Sequence, residues 1–356
     1  RRVYCAGRNP YHHHQDLNRL RQAWRKLDTI VFHEQFWTPA AKMADFVLPA
    51  TTSLERDDIG YGTREPYIIA MKKARAPLGE SRDDYEIFND LAERLGVGEA
   101  HSEGRKTTQE WLSHLYEEAR VKSAKAGVTL PPYAEFWEAG IAEAKGESRD
   151  PVMLAAFRAD PEKNKLKTPS GKFEIFSETI AGFGYDDCPG HATWLEPIEW
   201  LGAKTAERYP LHMLSDQPAD KLHSQLDHSP HAKATKIKGR QPITLHPDDA
   251  TARGIADGDL VRVFNDRGTC LAAARLSDRI RRGVVRLSTG AWFDPADQGS
   301  NQPLEKHGNP NALTLDIGAS KLSQGCIAQT CLVEIERHDG PAPMVTAHQP
   351  PTFANR

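Results

Sequence analysis

Paired cysteines are missing from this chain. Its five thiols, Cys5, Cys188, Cys270, Cys326 and Cys331, are scattered through 356 residues with no Cys-x-x-Cys spacing. That disfavours a disulfide framework, a zinc site and an iron–sulfur cluster, and leaves buried free thiols as the expectation. No apolar run approaches the ~20 residues needed to span a bilayer. An excess of one charge is missing too. The formal net charge of −3 gives no basic field for nucleic acid or an anionic membrane. There is no low-complexity tract, no internal repeat and no Gly-x-Ser-x-Gly elbow of the kind a serine hydrolase uses. No apolar stretch follows Arg1-Arg2 as a twin-arginine signal would require, and Val3-Tyr4-Cys5-Ala6 reads as a strand entered part-way through a fold.

What is present suits a globular protein with a sizeable core. Hydrophobic residues make up 39% and charged residues 27%, and the length allows two or three domains. The first hundred residues have a strand–loop–helix rhythm. Short strands are expected at Val3–Ala6, Thr29–Phe32 and Phe46–Pro49. A helix is expected from Asp16 to Leu27, with Leu17, Leu20 and Trp24 on one face. Thr38-Pro39 is a good helix start, and Asp84 to Leu95 reads as an amphipathic helix ending at Gly96. Strands whose C-terminal ends open into polar loops are what a parallel α/β sheet uses to bind a nucleotide-like ligand.

The middle is harder to read. Glu110–Val121 and Tyr133–Ala144 look helical, and Phe173–Phe176 alternates like a strand. From about residue 208 the pattern turns to β. Strands are expected at Leu211–Leu214, Leu260–Phe264, Cys270–Leu276 and Val284–Leu287, with Asp248 capping a short helix that stops at Gly254. A tight turn is expected at Asp257-Gly258. Short strands at this spacing suggest a small barrel. The Pro-rich tail from Gly340 is expected to wrap the surface.

Groups that grip ligands abound, while groups that catalyse do not. Adjacent His12, His13 and His14 cannot converge on one ion in a regular element, so they suit hydrogen bonds to a phosphate or heterocycle, or a solvated loop. Arg56 follows a strand and a Thr-rich loop, where a guanidinium can fork onto phosphate. It also fits a plain charged loop. Asp83 is expected to cap a helix. An Asp at a ligand site could instead accept a ring N–H and an exocyclic amine together, as guanine or a pterin presents them. His223-Ser224 lacks the setting of a nucleophile pair, since neighbouring positions on a strand face opposite ways. Asn311 and Gln329 are amides suited to reading a heterocycle or to capping a loop.

A resemblance joins these fragments. Asn9-Pro10, His13-His14-Gln15-Asp16, Trp37-Thr38-Pro39, Val47-Leu48-Pro49-Ala50-Thr51-Thr52 and Glu55-Arg56 carry its first part. Gly184-Tyr185-Asp186-Asp187, Leu222-His223-Ser224-Gln225-Leu226, His246-Pro247-Asp248-Asp249-Ala250, Gly290-Ala291-Trp292-Phe293-Asp294-Pro295 and Asp316-Ile317-Gly318 carry the rest. Together they resemble the C-terminal half of the dimethyl sulfoxide reductase family of molybdenum enzymes, nearest its biotin sulfoxide and trimethylamine N-oxide reductase branch.

The resemblance implies an α/β fold. Residues 1–100 would be part of a Rossmann-like parallel dinucleotide-binding domain and 101–204 a mixed connecting region. Residues 205–340 would form a six-stranded double-psi β-barrel, and 341–356 a surface tail. It implies molybdenum held by two molybdopterin guanine dinucleotides. Asn9, His13, His33, Glu34, Arg56 and Asp84 would grip one of them. Ser215, Asp216, Gln217, Pro218, Lys221, His223, Ser224, Gln225, Asn311, Ala328 and Gln329 would serve pterin ends and phosphates. Lys221 departs from the Arg of close relatives and loses the bidentate fork.

The family's protein ligand to molybdenum lies in the N-terminal half, and no residue here matches it. The implied protein reduces an S-oxide or N-oxide only with that missing half; the alternative is a non-catalytic module that binds the molybdopterin guanine dinucleotide. Catalytic residues, protein metal ligands, nucleic acid and a membrane span are not expected. The branch implies the cytoplasm, with the periplasm as the alternative.

Overall fold

Three short parallel strands open the chain in the computed structural model, which describes residues 1–62, 65–145, 152–327 and 330–351. β1 (Arg2–Ala6), β2 (Thr29–Glu34) and β3 (Phe46–Pro49) pair in that order. The short helix α1 (Pro10–His13) and α2 (Leu17–Trp24) form the crossover between β1 and β2. Asp16 caps α2 by accepting from the Arg19 amide. The helix expected at Thr38-Pro39 is reduced to one 3-10 turn, Ala41–Met43. Tyr11, Leu17, Ile30, Phe32 and Ala40 form the core here, and Phe293 enters it from the far end of the chain.

Next comes a three-stranded antiparallel sheet that the sequence reading passed over. It consists of β4 (Asp58–Tyr61), β5 (Tyr67–Met71) and β6 (Ile141–Glu143). α3 (Asp84–Arg94) and α4 (Gly98–Ser102) lie between β5 and β6. So do α5 (Thr108–Lys125), with a Thr107/Glu110 capping box, and α6 (Tyr133–Ala139). The expected helix to Ala144 ends early. Gly140 sits at φ +80, where left-handed backbone stops a helix, and the chain continues as β6. The Ala50–Arg82 bridge lays the start of α3 beside the end of β3. Asp83 occupies the cap position of α3, but its carboxylate accepts from Thr51 Oγ1 at 2.6 Å and makes no capping bond.

Residues 152–203 hold only the single-turn helices α7 (Ala155–Ala159) and α8 (Glu178–Gly182). The strand expected at Phe173–Phe176 does not form. Its apolar side chains face outward and no strand edge pairs with it.

The rest is a closed barrel of β7 (Leu211–Leu214), β8 (Pro242–Leu245), β9 (Leu260–Asn265), β10 (Gly268–Leu276), β11 (Val284–Leu287) and β13 (Thr330–Arg337). The short β12 (Leu304–Glu305) lies at the side of β10. Strands run β10-β8-β11-β7-β13-β9, and β9 returns to β10 through a hairpin. β11 slots between β7 and β8, and β13 between β7 and β9, the interlocked order of a double-psi barrel. Two parallel pairs, β8–β10 and β7–β11, sit among antiparallel neighbours.

Alternate residues such as Val261 and Val263, or Cys270, Ala272 and Ala274, point inward and fill the lumen. That is the period a strand dictates. Closure leaves no free strand edge to pair with another chain. Between β8 and β9, α10 (Pro247–Thr251) is capped by His246, whose Nδ1 accepts from the Asp248 amide, and not by Asp248 itself. The α9 turn (Pro230–Ala234) precedes β8. Of the five free thiols only Cys270 and Cys331 are buried, both in the barrel, while Cys326 is exposed.

Candidate functional site

A cleft of about 510 Å³ opens where the C-terminal ends of β1 and β2 face the loops of the barrel. The parallel sheet supplies Asn9, His33, Glu34 and Gln35, the start of α3 supplies Asp84, and the barrel side supplies His223, Ser224, Gln225 and Trp292. Parallel sheets bind ligands at this end because the polar loops diverge there.

On the sheet side the groups are linked. The His33 ring is buried, with Nδ1 2.7 Å from Asp84 Oδ1 and Nε2 2.7 Å from the Tyr4 hydroxyl. Phe88 lies against its face at 4.8 Å. Burial, then the Asp84 charge, push the Tyr4 phenol above its ordinary range. Asp84 keeps nearly half of its side chain exposed at the cleft. Glu34 accepts from the Gln35 amide and from Thr38 Oγ1, both at 2.9 Å. Burial still raises its carboxyl against those bonds.

Across the cleft, Asn9 Nδ2 donates to Ser224 Oγ at 3.4 Å, a contact spanning 215 positions of sequence. The other side of that amide, Oδ1, is buried without a hydrogen-bond partner. Unsatisfied buried acceptors are costly and call for an explanation.

The barrel loop carrying these residues is strained. His223 and Leu226 adopt φ of +54 and +56, which non-glycine residues rarely hold unless the surroundings enforce it. Two devices enforce it here. Gly290, at φ +101, lets the His223 carbonyl approach where a Cβ would overlap it. Trp292 donates through Nε1 to the Ser224 carbonyl at 2.8 Å and through its amide to Asp227.

Asp227 is the hub beneath. It is fully buried and accepts from Lys236 Nζ at 2.9 Å and His348 Nε2 at 2.9 Å, with Lys221 Nζ 3.4 Å away. Burial alone would raise its carboxyl. The His348 hydrogen bond and the Lys236, His307 and Lys221 charges outweigh that and hold it far below the usual range. Asp227, His307 and His348 bring ligand-type atoms within 4.8 Å of one another. Two ammonium groups already neutralise that carboxylate, and His307 Nδ1 bonds the Trp292 carbonyl at 2.8 Å. The cluster therefore reads as a charge hub and not as a metal centre.

The tail takes part in this construction. Ala347 is buried, Thr346 bonds Asp294 through its amide and hydroxyl at 2.6 and 2.7 Å, and Lys42 donates to the Ala347 carbonyl at 2.7 Å. The tail thus ties the parallel-sheet region to the barrel.

Other expected residues lie elsewhere. Ser215, Gln217 and Asn311 line a small adjoining cavity of about 80 Å³ that shares His12 and His223 with the cleft. The Asn311 amide donates to the His12 carbonyl at 2.8 Å and accepts from Thr314. Asp216 accepts from Ser288 at 2.6 Å, and Pro218 lines a separate hollow with Asp220 and Gln241.

Arg56 lies outside the cleft lining. It donates to the Thr51 carbonyl at 2.9 Å and faces Asp58, and Gln35 bonds the same carbonyl. The Lys221 side chain is 1% exposed, and its ammonium is paired internally with Asp220 and Asp227. His13 ends α1. Ala328 and Gln329 lie outside the described residues. Reading the sequence missed Gln35, Phe36 and Trp292 as parts of the cleft and Tyr4 as the partner of His33, although Trp292 stands in a stretch that carried the resemblance.

Comparison with known proteins fits this geometry. A family model described as "Molybdopterin oxidoreductase" matches residues 1–94, and one described as "Molydopterin dinucleotide binding domain" matches 211–332. The chain is 49% identical to the biotin sulfoxide reductase of Cereibacter sphaeroides, over 96% of itself and 45% of that protein. It is 46% identical to the dimethyl sulfoxide/trimethylamine N-oxide reductase of Rhodobacter capsulatus, over 99% of itself and 43% of the relative. For the trimethylamine-N-oxide reductase of Haemophilus influenzae the figures are 44%, 98% and 43%. The chain therefore spans less than half the length of these relatives. The solved acetylene hydratase from Pelobacter acetylenicus shares the fold, with a TM-score of 0.71 at 21% identity, over 95% of this chain and 44% of that one.

Proposed function

Because the chain belongs to the dimethyl sulfoxide reductase family of molybdopterin oxidoreductases, we propose that it is the cofactor-gripping portion of an enzyme that removes oxygen from S-oxides or N-oxides. The carrying observation is the cleft between the parallel sheet and the barrel, with Asn9 and Ser224 in contact across it.

The side chains there fit a guanine dinucleotide. The Asn9 Oδ1 acceptor is buried and unpartnered, so a ligand N–H would satisfy it. Asp84 is oriented by His33 and open to the cleft. A carboxylate can accept from a ring N–H and an exocyclic amine at once, which adenine does not offer in that pattern. His223, Ser224 and Gln225 would hold phosphates or pterin from the barrel side, and Ser215 and Gln217 would extend that grip into the adjoining cavity. When bound, two such cofactors with molybdenum would supply the two-electron redox chemistry. This chain's residues would bind, orient and exclude water. The molybdenum ligand and the substrate funnel are assigned to the part of the relatives that this chain does not span. The reaction is therefore assigned to both parts together. No described helix is long and apolar enough to cross a membrane, and likeness to the biotin sulfoxide branch favours the cytoplasm.

Calorimetric titration of the chain with guanosine and adenosine monophosphates tests the reading. GMP should bind in preference, and Asp84→Asn should erase the preference by turning one acceptor into a donor. Equal binding of the two nucleotides, or GMP binding unchanged in the variant, would overturn it. Viologen-linked reduction of sulfoxides and N-oxides should be absent from the chain alone and present in the full-length protein.

A further inference from the structure

Residues 152–203 run for some fifty positions without burying one apolar side chain. Met153, Ile175 and Trp194 are 84%, 92% and 79% exposed, and Phe173, Leu195 and Ile198 also face out. Long stretches with so little regular structure are uncommon in a compact domain and are usually either functional or linker segments. A large exposed apolar surface marks a contact site.

The segment is attached by charge. Glu199 accepts both guanidinium arms of Arg267 at 2.7 and 2.9 Å and also the Leu332 amide. Asp186 and Asp187 hold Lys321 through its ammonium and its amide. Polar anchors fasten the segment to the barrel, while Met153, Phe173, Ile175 and Trp194 remain two-thirds or more exposed. Among the described residues, none of them belongs to a buried core cluster.

From this arrangement we infer that residues 152–203 form an internal docking face, covered in the full-length protein by the region that its relatives carry beyond the part matched here. This rests on the reading of the chain as a portion of a longer reductase. The size of the missing region supports that occupant. The relatives match this chain almost end to end, yet more than half of each lies outside the match. The solved acetylene hydratase has the same proportion.

Hydroxyl-radical labelling of the 356-residue chain, compared with the full-length protein from the same reading frame, tests this. Met153, Ile175 and Trp194 should label strongly in the chain and lose most of that labelling in the full-length form. The double variant Ile175→Asp/Trp194→Asp should restore labelling at Met153 in the full-length form. Equal labelling in both forms would overturn the inference, as would a reading frame with no such region. Protection that grows with the concentration of the chain alone would assign the face to a second copy and overturn it too. GMP titration separates the two ideas. A chain that binds GMP but shows no protection in the full-length form loses the docking face and keeps the cofactor cleft. A chain protected but blind to GMP does the reverse.

Discussion

The barrel and the segment before it are built on opposite plans. In the barrel, inward side chains such as Leu245, Val263 and Val285 are fully buried, and every strand has a neighbour on both sides. In residues 152–203 the only buried positions are Gly171 and Gly190, and twelve large apolar residues are exposed. Composition does not separate the two regions, because both are rich in hydrophobic residues. Pairing separates them. A strand that finds an edge turns its alternate residues inward, whereas Phe173-Glu174-Ile175-Phe176 has the same alternation and no edge. The barrel completes itself, and the segment awaits something else.

The comparison breaks most severely at the barrel's polar support. Asp227→Asn removes the paired carboxylate of Lys236 and one of the two beside Lys221, whose side chains are 2% and 1% exposed. Taking one partner from a buried charge set costs about 3–5 kcal/mol. Urea denaturation should show that loss. An unchanged midpoint would mean that the two ammonium groups find water, and that the barrel side is far less closed than its packing implies.

A smaller effect, tied to pH, comes from Glu305. It is fully buried and accepts from the amides of Asp294, His307, Gly308 and Asn309. Burial pushes its pKa up to about 7, with those four amides pulling the other way. Between its ordinary value and 7, the folded state binds more protons than the unfolded chain. Stability contributed by Glu305 is therefore fully present below pH ~4.5 and lost as pH rises toward 7, by up to about 3 kcal/mol. Glu305→Gln should flatten that slope in thermal melts recorded from pH 4 to 8. A slope identical to the parent's would show that other groups carry it.

How much of this was legible follows from the same distinction. β1, β2 and β3 and the helices α2 and α3 announced themselves, because apolar periodicity and loop residues agree there. β9, β10 and β11 did so through turns at Asn265–Gly268 and Arg281-Arg282-Gly283. β8 did not, since Pro242–Leu245 is buried on both faces and carries no alternation. β6 was read as helix because Gly140, inside an apparently continuous pattern, is where the chain changes direction. Within the site, Asn9, His33, Glu34, Asp84 and His223–Gln225 converge on one cleft. Arg56 and Lys221 are long, flexible cations whose resting partners, the Thr51 carbonyl and Asp227, are set by the folded geometry. The hub was invisible because His348 reaches Asp227 across 121 positions, a distance that no local pattern encodes.

The smallest predicted effect discriminates best between the two plans. Ile175→Asp/Trp194→Asp places two charges among the exposed apolar side chains of residues 152–203. In the barrel such a change would bury an unpaired charge and unfold the protein. Here Ile175 has no covering neighbour, and the one hydrogen bond from the Trp194 indole goes to Glu196, an exposed near neighbour in sequence. Surface substitutions of this kind stay within about 0.5 kcal/mol, so the 356-residue variant should melt with its parent. A loss of several kcal/mol would mean that the segment already packs against the chain itself. Its exposed side chains would then belong to a core that closes within these residues, and the two regions would differ in degree only.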